Sequence, residues 1–157
     1  MKIDKDEFQL RMRRFNEAVK RSGAKMTQQR IEVFREIAQN NEHLDAVTVY
    51  QRVRKRLQTI SLDTVYRTLW MLMDMGLITT LGIHRDRVRF DGNTAIHHHF
   101  ICTKCGMTRD LNSEELNNLQ APEEVKNLGR VKTTHVEFRG ICSKCSKEDE
   151  HGHGMKP

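Results

Sequence analysis

The sequence predicts an α+β fold in two parts: a basic, helical first half that closes on a two-stranded ribbon, and a small sheet-rich second half stapled by cysteines. Three observations predict it. Apolar residues recur at helical spacing through the first half and at strand spacing beyond it. All four cysteines of the 157-residue chain fall into two Cys-x-x-Cys pairs, Cys102 with Cys105 and Cys142 with Cys145. The charge is uneven, with 18 Lys and Arg against 11 Asp and Glu in residues 1–90, and 9 against 10 in residues 91–157.

In chain order, Phe8, Met12, Phe15 and Val19 predict a first helix that Ser22 and Gly23 stop. Thr27 is an N-cap for a second helix with Ile31, Phe34 and Ile37 on its apolar face, ending by residues 39–41. Asp45 caps a third, with Val49, Val53 and Leu57 inward and Arg52, Arg54, Lys55 and Arg56 outward. Ser61 caps a fourth, whose buried stripe is Leu62, Val65, Leu69 and Leu72 and whose stop is Gly76. Met71, Met73 and Met75 read as packing residues rather than a sulfur metal site. Residues 77–81 and 87–90 read as strands around a polar turn at 82–86, with His84 solvated in it.

Short helices followed by a two-stranded wing are the pattern of a winged helix-turn-helix. The fourth helix would enter a DNA major groove and present Thr64, Tyr66 and Arg67. The basic excess of this half agrees with a polyanionic partner; a small helical bundle with a solvated basic face is the competing reading of the same pattern. Asp91, Gly92 and Asn93 read as a hinge. Beyond it, residues 100–103, 107–111 and 131–141 predict strands, with a short helix near 113–119, which suggests a small α/β dimerisation domain. The expected layout is a winged-helix DNA-binding domain at 1–90, a hinge at 91–96, a metal-binding dimerisation domain at 97–147 and a disordered tail at 148–157 that carries His151 and His153.

No apolar run approaches the roughly 18 to 20 residues of a membrane span, and the N-terminus lacks a signal-like apolar stretch. A cytoplasmic protein with no membrane partner is expected. In that reducing compartment paired cysteines read as metal ligands rather than disulfides. Two residues between the cysteines of each pair let both sulfurs face one ion, and four thiolates close a tetrahedral shell, as in structural Zn(II) sites. A redox dithiol is the alternative, but the thioredoxin-like βαβ pattern that would accompany it is absent. His97 and His99 alternate, so a strand would aim both imidazoles at one face while His98 points away. With Asp91 before them and Asp110 after, they make a mixed nitrogen and oxygen set suited to iron, manganese or zinc; a surface histidine cluster without a ligand is the alternative. A zinc hydrolase would need an open coordination position and a general base, and no spare base stands in this set, so no enzymatic activity is expected.

Taken together, Met26-Thr27-Gln28-Gln29-Arg30, the lone His43, Thr64-Val65-Tyr66-Arg67-Thr68-Leu69, Arg89-Phe90-Asp91, His97-His98-His99-Phe100-Ile101-Cys102-x-x-Cys105-Gly106 and Gly140-Ile141-Cys142-x-x-Cys145 resemble the ferric-uptake-regulator (Fur) superfamily, in the same order and over roughly residues 8–147. The resemblance implies a homodimeric repressor that binds a double-stranded DNA operator, with structural Zn(II) on Cys102, Cys105, Cys142 and Cys145. It implies a regulatory Fe(II) or Mn(II) site on His43, Asp91, His97, His99 and Asp110. Arg30 joins Thr64, Tyr66 and Arg67 among the expected DNA contacts. Iron-sensing members resemble one another in a Glu at the last ligand, and peroxide-sensing, PerR-like members in an Asp; Asp110 therefore points to the peroxide-sensing branch, with His43 and His97 as the oxidation-sensitive ligands. An iron, manganese or zinc uptake regulator is the alternative within the superfamily. A second sensory site found in many iron sensors would fall on Ile96, His98 and Asn117 with a histidine near His135, and two of those residues are too poor as ligands for it to be expected here.

Overall fold

The computed structural model describes residues 3–84 and 87–152, with backbone alone at 82–84, 87 and 149–152. It divides into two compact units, residues 1–94 and 95–157.

In the first unit, α1 (Lys5–Arg21) starts where Asp4 accepts the amides of Asp6 and Glu7, and ends at Ser22 before Gly23, whose φ of 68° only glycine adopts cheaply. α2 (Gln28–Ala38) is capped by Thr27 and stacks Phe34 on Phe15 with ring centroids 4.6 Å apart. β1 is a two-residue strand, Leu44–Asp45; Asp45 then caps α3 (Ala46–Arg54). α4 (Leu62–Asp74), capped by Ser61, buries Val65, Leu69 and Leu72 completely. Phe15, Phe34, Val49, Val53, Val65, Leu69 and Leu72 belong to one core, with Met71, Met73 and Met75 packed at its margin.

β2 (Thr79–His84) and β3 (Arg87–Asp91) form the wing, and β1 adds a third strand in the order β1-β3-β2, all antiparallel. Residues 82–84 are therefore strand rather than turn, because their backbone continues the pairing with β3 beyond an irregularity after Leu81. The remainder of the expected turn, 85–86, and the side chain of His84 lie outside the described residues.

Arg52 and Arg56 keep part of their side chains in solvent, as expected, but their guanidinium groups turn back toward α2. Glu32 and Glu36 on α2 are 4% and 3% exposed, and a buried carboxylate needs a cation. Arg56 supplies it to both, Nε at 2.9 Å from Glu32 and Nη2 at 2.8 Å from Glu36. Arg52 lies 3.5 Å from Glu36 and 2.7 Å from Glu42. Arg52 in turn holds the Glu42 carboxyl below its ordinary range. Part of the basic excess of this half is thus neutralised internally, tying α2 to α3.

In the second unit, β4 (His98–Cys102) is central, antiparallel to β5 (Thr108–Leu111) and parallel to β6 (Glu137–Gly140). Short helices α5 (Glu114–Asn117) and α6 (Glu123–Lys126) join β5 to β6. The strand expected over 131–141 shrinks to β6, since only 137–140 pair with β4, and the polar run Lys132-Thr133-Thr134 has no ladder to join. α6 was not anticipated: Pro122 opens it and Glu123 and Glu124 occupy its first turn, where acidic side chains favour the helix. The expected tail also needs correction. Residues 148–152 belong to α7 (Ser143–Gly152), which starts as the Ser146 amide bonds the Cys142 carbonyl and continues through the helix-favouring Lys147 and Glu148. Residues 153–157, including His153, and the side chain of His151 lie outside the described residues. Among the described residues no helix is long and apolar enough to cross a membrane.

Candidate metal centres and nucleic-acid interface

The four cysteines converge. β4 ends at Cys102, the tight turn at Gly106 (φ 76°) returns the chain after Cys105, β6 delivers Cys142, and the first turn of α7 delivers Cys145. Their sulfurs all lie within 4.8 Å of one another. Cys105 and Cys142 Sγ are 3.8 Å apart, far beyond a disulfide bond of about 2.05 Å. That spacing equals the roughly 3.8 Å edge of a tetrahedron built on Zn–S bonds of about 2.3 Å. Backbone N–H groups of Cys105 and Cys142 donate to Cys102 Sγ at 3.5 and 3.3 Å, which lowers its thiol to about 6. Burial, with the neighbouring sulfurs, pushes Cys145 up to about 12. One sulfur is prepared as a thiolate and another resists becoming one without a cation, so the donor set fits a divalent metal.

The imidazole and carboxylate residues fall into two groups, one in each unit. In the first, the β1–β3 register pairs Leu44 with Phe90 and Asp45 with Arg89. The residues one step outward, His43 and Asp91, face each other with Nε2 and Oδ2 3.4 Å apart, both sealed from solvent. The Asn93 amide donates to Asp91 Oδ1 at 2.7 Å and fixes the carboxylate. His43 has φ 49°, a left-handed backbone uncommon for a residue with a side chain. The strand that makes this pairing is two residues long and was not read from the sequence.

In the second unit His97 and His99 are buried, with rings edge to face and centroids 4.5 Å apart. His97 precedes β4 rather than lying within it. Its Nδ1 bonds the Ala95 carbonyl at 2.8 Å, so that nitrogen carries the proton and the Nε2 lone pair is what the ring can offer a cation. His99 and Asp110 are directly opposed on β4 and β5, Nε2 to Oδ1 3.8 Å. His98 is completely buried and uses both nitrogens structurally: Nδ1 accepts from the Val136 amide and Nε2 donates to Asn117.

Of the expected DNA contacts, Arg30, Thr64 and Arg67 line one hollow of about 400 Å³ between the start of α2 and α4, joined by Lys25, Thr27, Gln29 and Thr68. Its cations, hydroxyls and helix N-terminus suit a phosphate. Tyr66 lies apart from it, in a second hollow. Lys25 and Gln29, which also line the first hollow, were not among the expected contacts.

A helix-turn-helix unit with a three-stranded wing, followed by a small sheet built around a four-cysteine cluster, defines a metal-responsive transcriptional regulator. Residues 21–140 match the Ferric uptake regulator family, and the chain belongs to it. It is 32% identical to the ferric uptake regulation protein of Bacillus subtilis over 89% of this chain and 98% of that one. It is 29% identical to the peroxide-responsive repressor PerR of Staphylococcus epidermidis over 83% and 87%. The fold matches the solved ferric uptake regulator of Helicobacter pylori, described with three functional metal binding sites, with a TM-score of 0.73 and 23% identity over 93% of this chain and 97% of that one.

Proposed function

We propose that this chain is a homodimeric repressor that holds an operator while a regulatory metal is bound, and releases it when peroxide oxidises a ligand histidine. The observation that carries the peroxide assignment is Asp110, placed directly opposite His99 where iron-sensing relatives resemble one another in a glutamate. The regulatory ligand set is His43 and Asp91 from the first unit with His97, His99 and Asp110 from the second; the four cysteines hold Zn(II). Three imidazoles and two carboxylates suit Fe(II) or Mn(II). Fe(II) held by these residues would supply the chemistry that cleaves the peroxide O–O bond, one oxygen going to an adjacent imidazole and the other leaving as water.

The protein's own residues do the rest. Ligands drawn from both units select one arrangement of the DNA-binding halves, and a differential affinity of about 3 kcal/mol shifts the populations roughly 100-fold. His97 offers Nε2 because Ala95 holds its Nδ1 proton. Oxidation of His43 or His97 at the carbon between the ring nitrogens leaves a poor ligand, and the arrangement is lost. In peptide maps after low-dose peroxide, the Fe(II)-loaded, zinc-retaining protein gains one oxygen on the peptide of His43 or His97, and the Mn(II)-loaded protein does not. Unmodified peptides from demonstrably iron-filled protein move the assignment to an uptake regulator responding to metal alone, a reading that the B. subtilis relative favours.

Gly92 gives a second test. A Cβ there would stand 3.1 Å from Ile37 Cγ2, 3.3 Å from the Ile37 carbonyl and 3.3 Å from Arg11 Nη1. The carbonyl belongs to α2 and cannot yield easily, so Gly92→Ala displaces the segment carrying Asp91. Overpacking of this kind costs about 1–3 kcal/mol. Mn(II) titration should show affinity reduced about tenfold or more with zinc content unchanged; wild-type affinity would mean that the contacts around Gly92 relax without moving Asp91.

A further inference from the structure

Arg11 is a buried cation with no part in the sites described above. It is 6% exposed and stands on the inward face of α1, three residues after Phe8 and four before Phe15, where a leucine would complete the apolar stripe. A guanidinium taken out of water costs free energy that only good partners offset, so its contacts say why it is there. Its Nε donates to Glu7 Oε1 at 2.8 Å and its Nη1 to the Ala38 carbonyl at 3.3 Å. That carbonyl belongs to the last turn of α2, where carbonyls have no partner within the helix.

The same turn of α2 is the shelf on which the segment behind Asp91 rests. A Cβ on Gly92 would come within 3.3 Å of both the Ile37 carbonyl and Arg11 Nη1. The guanidinium therefore lies where α1, the end of α2 and the backbone following Asp91 meet. His43 leaves that end of α2 five residues after Ala38 and faces Asp91 Oδ2 across 3.4 Å. The Asn93 amide holds the other carboxylate oxygen at 2.7 Å. All of these residues belong to the first unit.

We infer that Arg11 is a positioning residue for the regulatory metal: by clamping the end of α2 to α1 it fixes the backbone from which His43 and Asp91 both extend. The inference rests on the reading of His43 and Asp91 as ligands. The test uses the full, zinc-retaining chain. In Arg11→Met, which keeps an apolar stem and removes the guanidinium, Mn(II) titration should give an affinity about tenfold lower, the scale on which residues behind a ligand act. Before any Mn(II) is added, the Asn93 amide should already exchange faster in this variant, because the Asp91 carboxylate is no longer held against it. Arg11→Lys, which restores a cation and a donor, should recover part of the affinity. Val19→Ala separates a purely structural role, since it truncates the core of the same helix and leaves the guanidinium in place. It should lower the melting temperature and keep the wild-type Mn(II) affinity. Wild-type Mn(II) affinity in Arg11→Met, or an equal loss in Val19→Ala, overturns the positioning role. Asp91→Asn distinguishes the two failures. If it weakens Mn(II) binding and Arg11→Met does not, the role of Arg11 alone is overturned; if it binds Mn(II) as the wild type does, Asp91 is no ligand and the inference falls with that reading.

Discussion

Stripping the zinc, or replacing Cys102 with Ser, is expected to unfold residues 95–152 while α1 to α4 stay folded. The buried cluster of this unit is Cys102, Cys142 and Cys145, with Phe100 and Met107 packed against it. A segment of this size with so few apolar residues cannot bury enough surface to fold alone, and metals commonly make up the difference. A structural Zn(II) bound by thiolates contributes an apparent 10–16 kcal/mol near neutral pH. Without it the prepared Cys102 thiolate has no counter-charge and Cys145 stays protonated. Hydrogen exchange reads the result directly: amides of β4 and β6 lose protection on chelation, whereas those of α2 and α4 keep it. Persistent protection of β4 and β6 would mean that the sheet stands without the metal.

The second large effect is expected in the first unit. Arg52→Ala combined with Arg56→Ala should destabilise it by about 3–5 kcal/mol, the range for stranding buried charge, whereas Glu36→Gln should cost clearly less. The asymmetry follows from burial. Glu32 and Glu36 are sealed, and Arg35, Gln28 and Asn40 only partly replace the lost partners; the Arg52 and Arg56 side chains are 35% and 42% exposed and can turn to water. Urea unfolding followed by Trp70 fluorescence measures both, since the only tryptophan lies on α4. Equal losses for the two variants would mean that the ion network is not what ties α2 to α3.

What could be read in advance was local. Thr27, Asp45 and Ser61 cap helices wherever they stand before an amphipathic run, and Gly76 ends one because its backbone is left-handed. The cysteine cluster was legible because two short spacers leave few geometries for four sulfurs. What escaped depends on partners distant in sequence. β1 exists only because Leu44 and Asp45 meet Phe90 and Arg89. β6 is short because β4 offers it four partners. The guanidinium groups of Arg52 and Arg56 turn back because of carboxylates on another helix. His43 had no signature of its own and drew its expected role from the family resemblance; the short strand that sets it against Asp91 is tertiary.

The parallel pairing of β4 with β6 also bears on biosynthesis. The two knuckles are joined across 37 positions, and β4 cannot find its parallel neighbour until that whole stretch exists. The winged-helix unit has all its elements by Asp91, and domains fold in order as synthesis proceeds. Each new molecule therefore passes through a stage in which the helical unit is complete and the sheet unit is not. The four sulfurs come together only once Cys145 has been made, so a metal held by all four of them joins after the helical unit is complete.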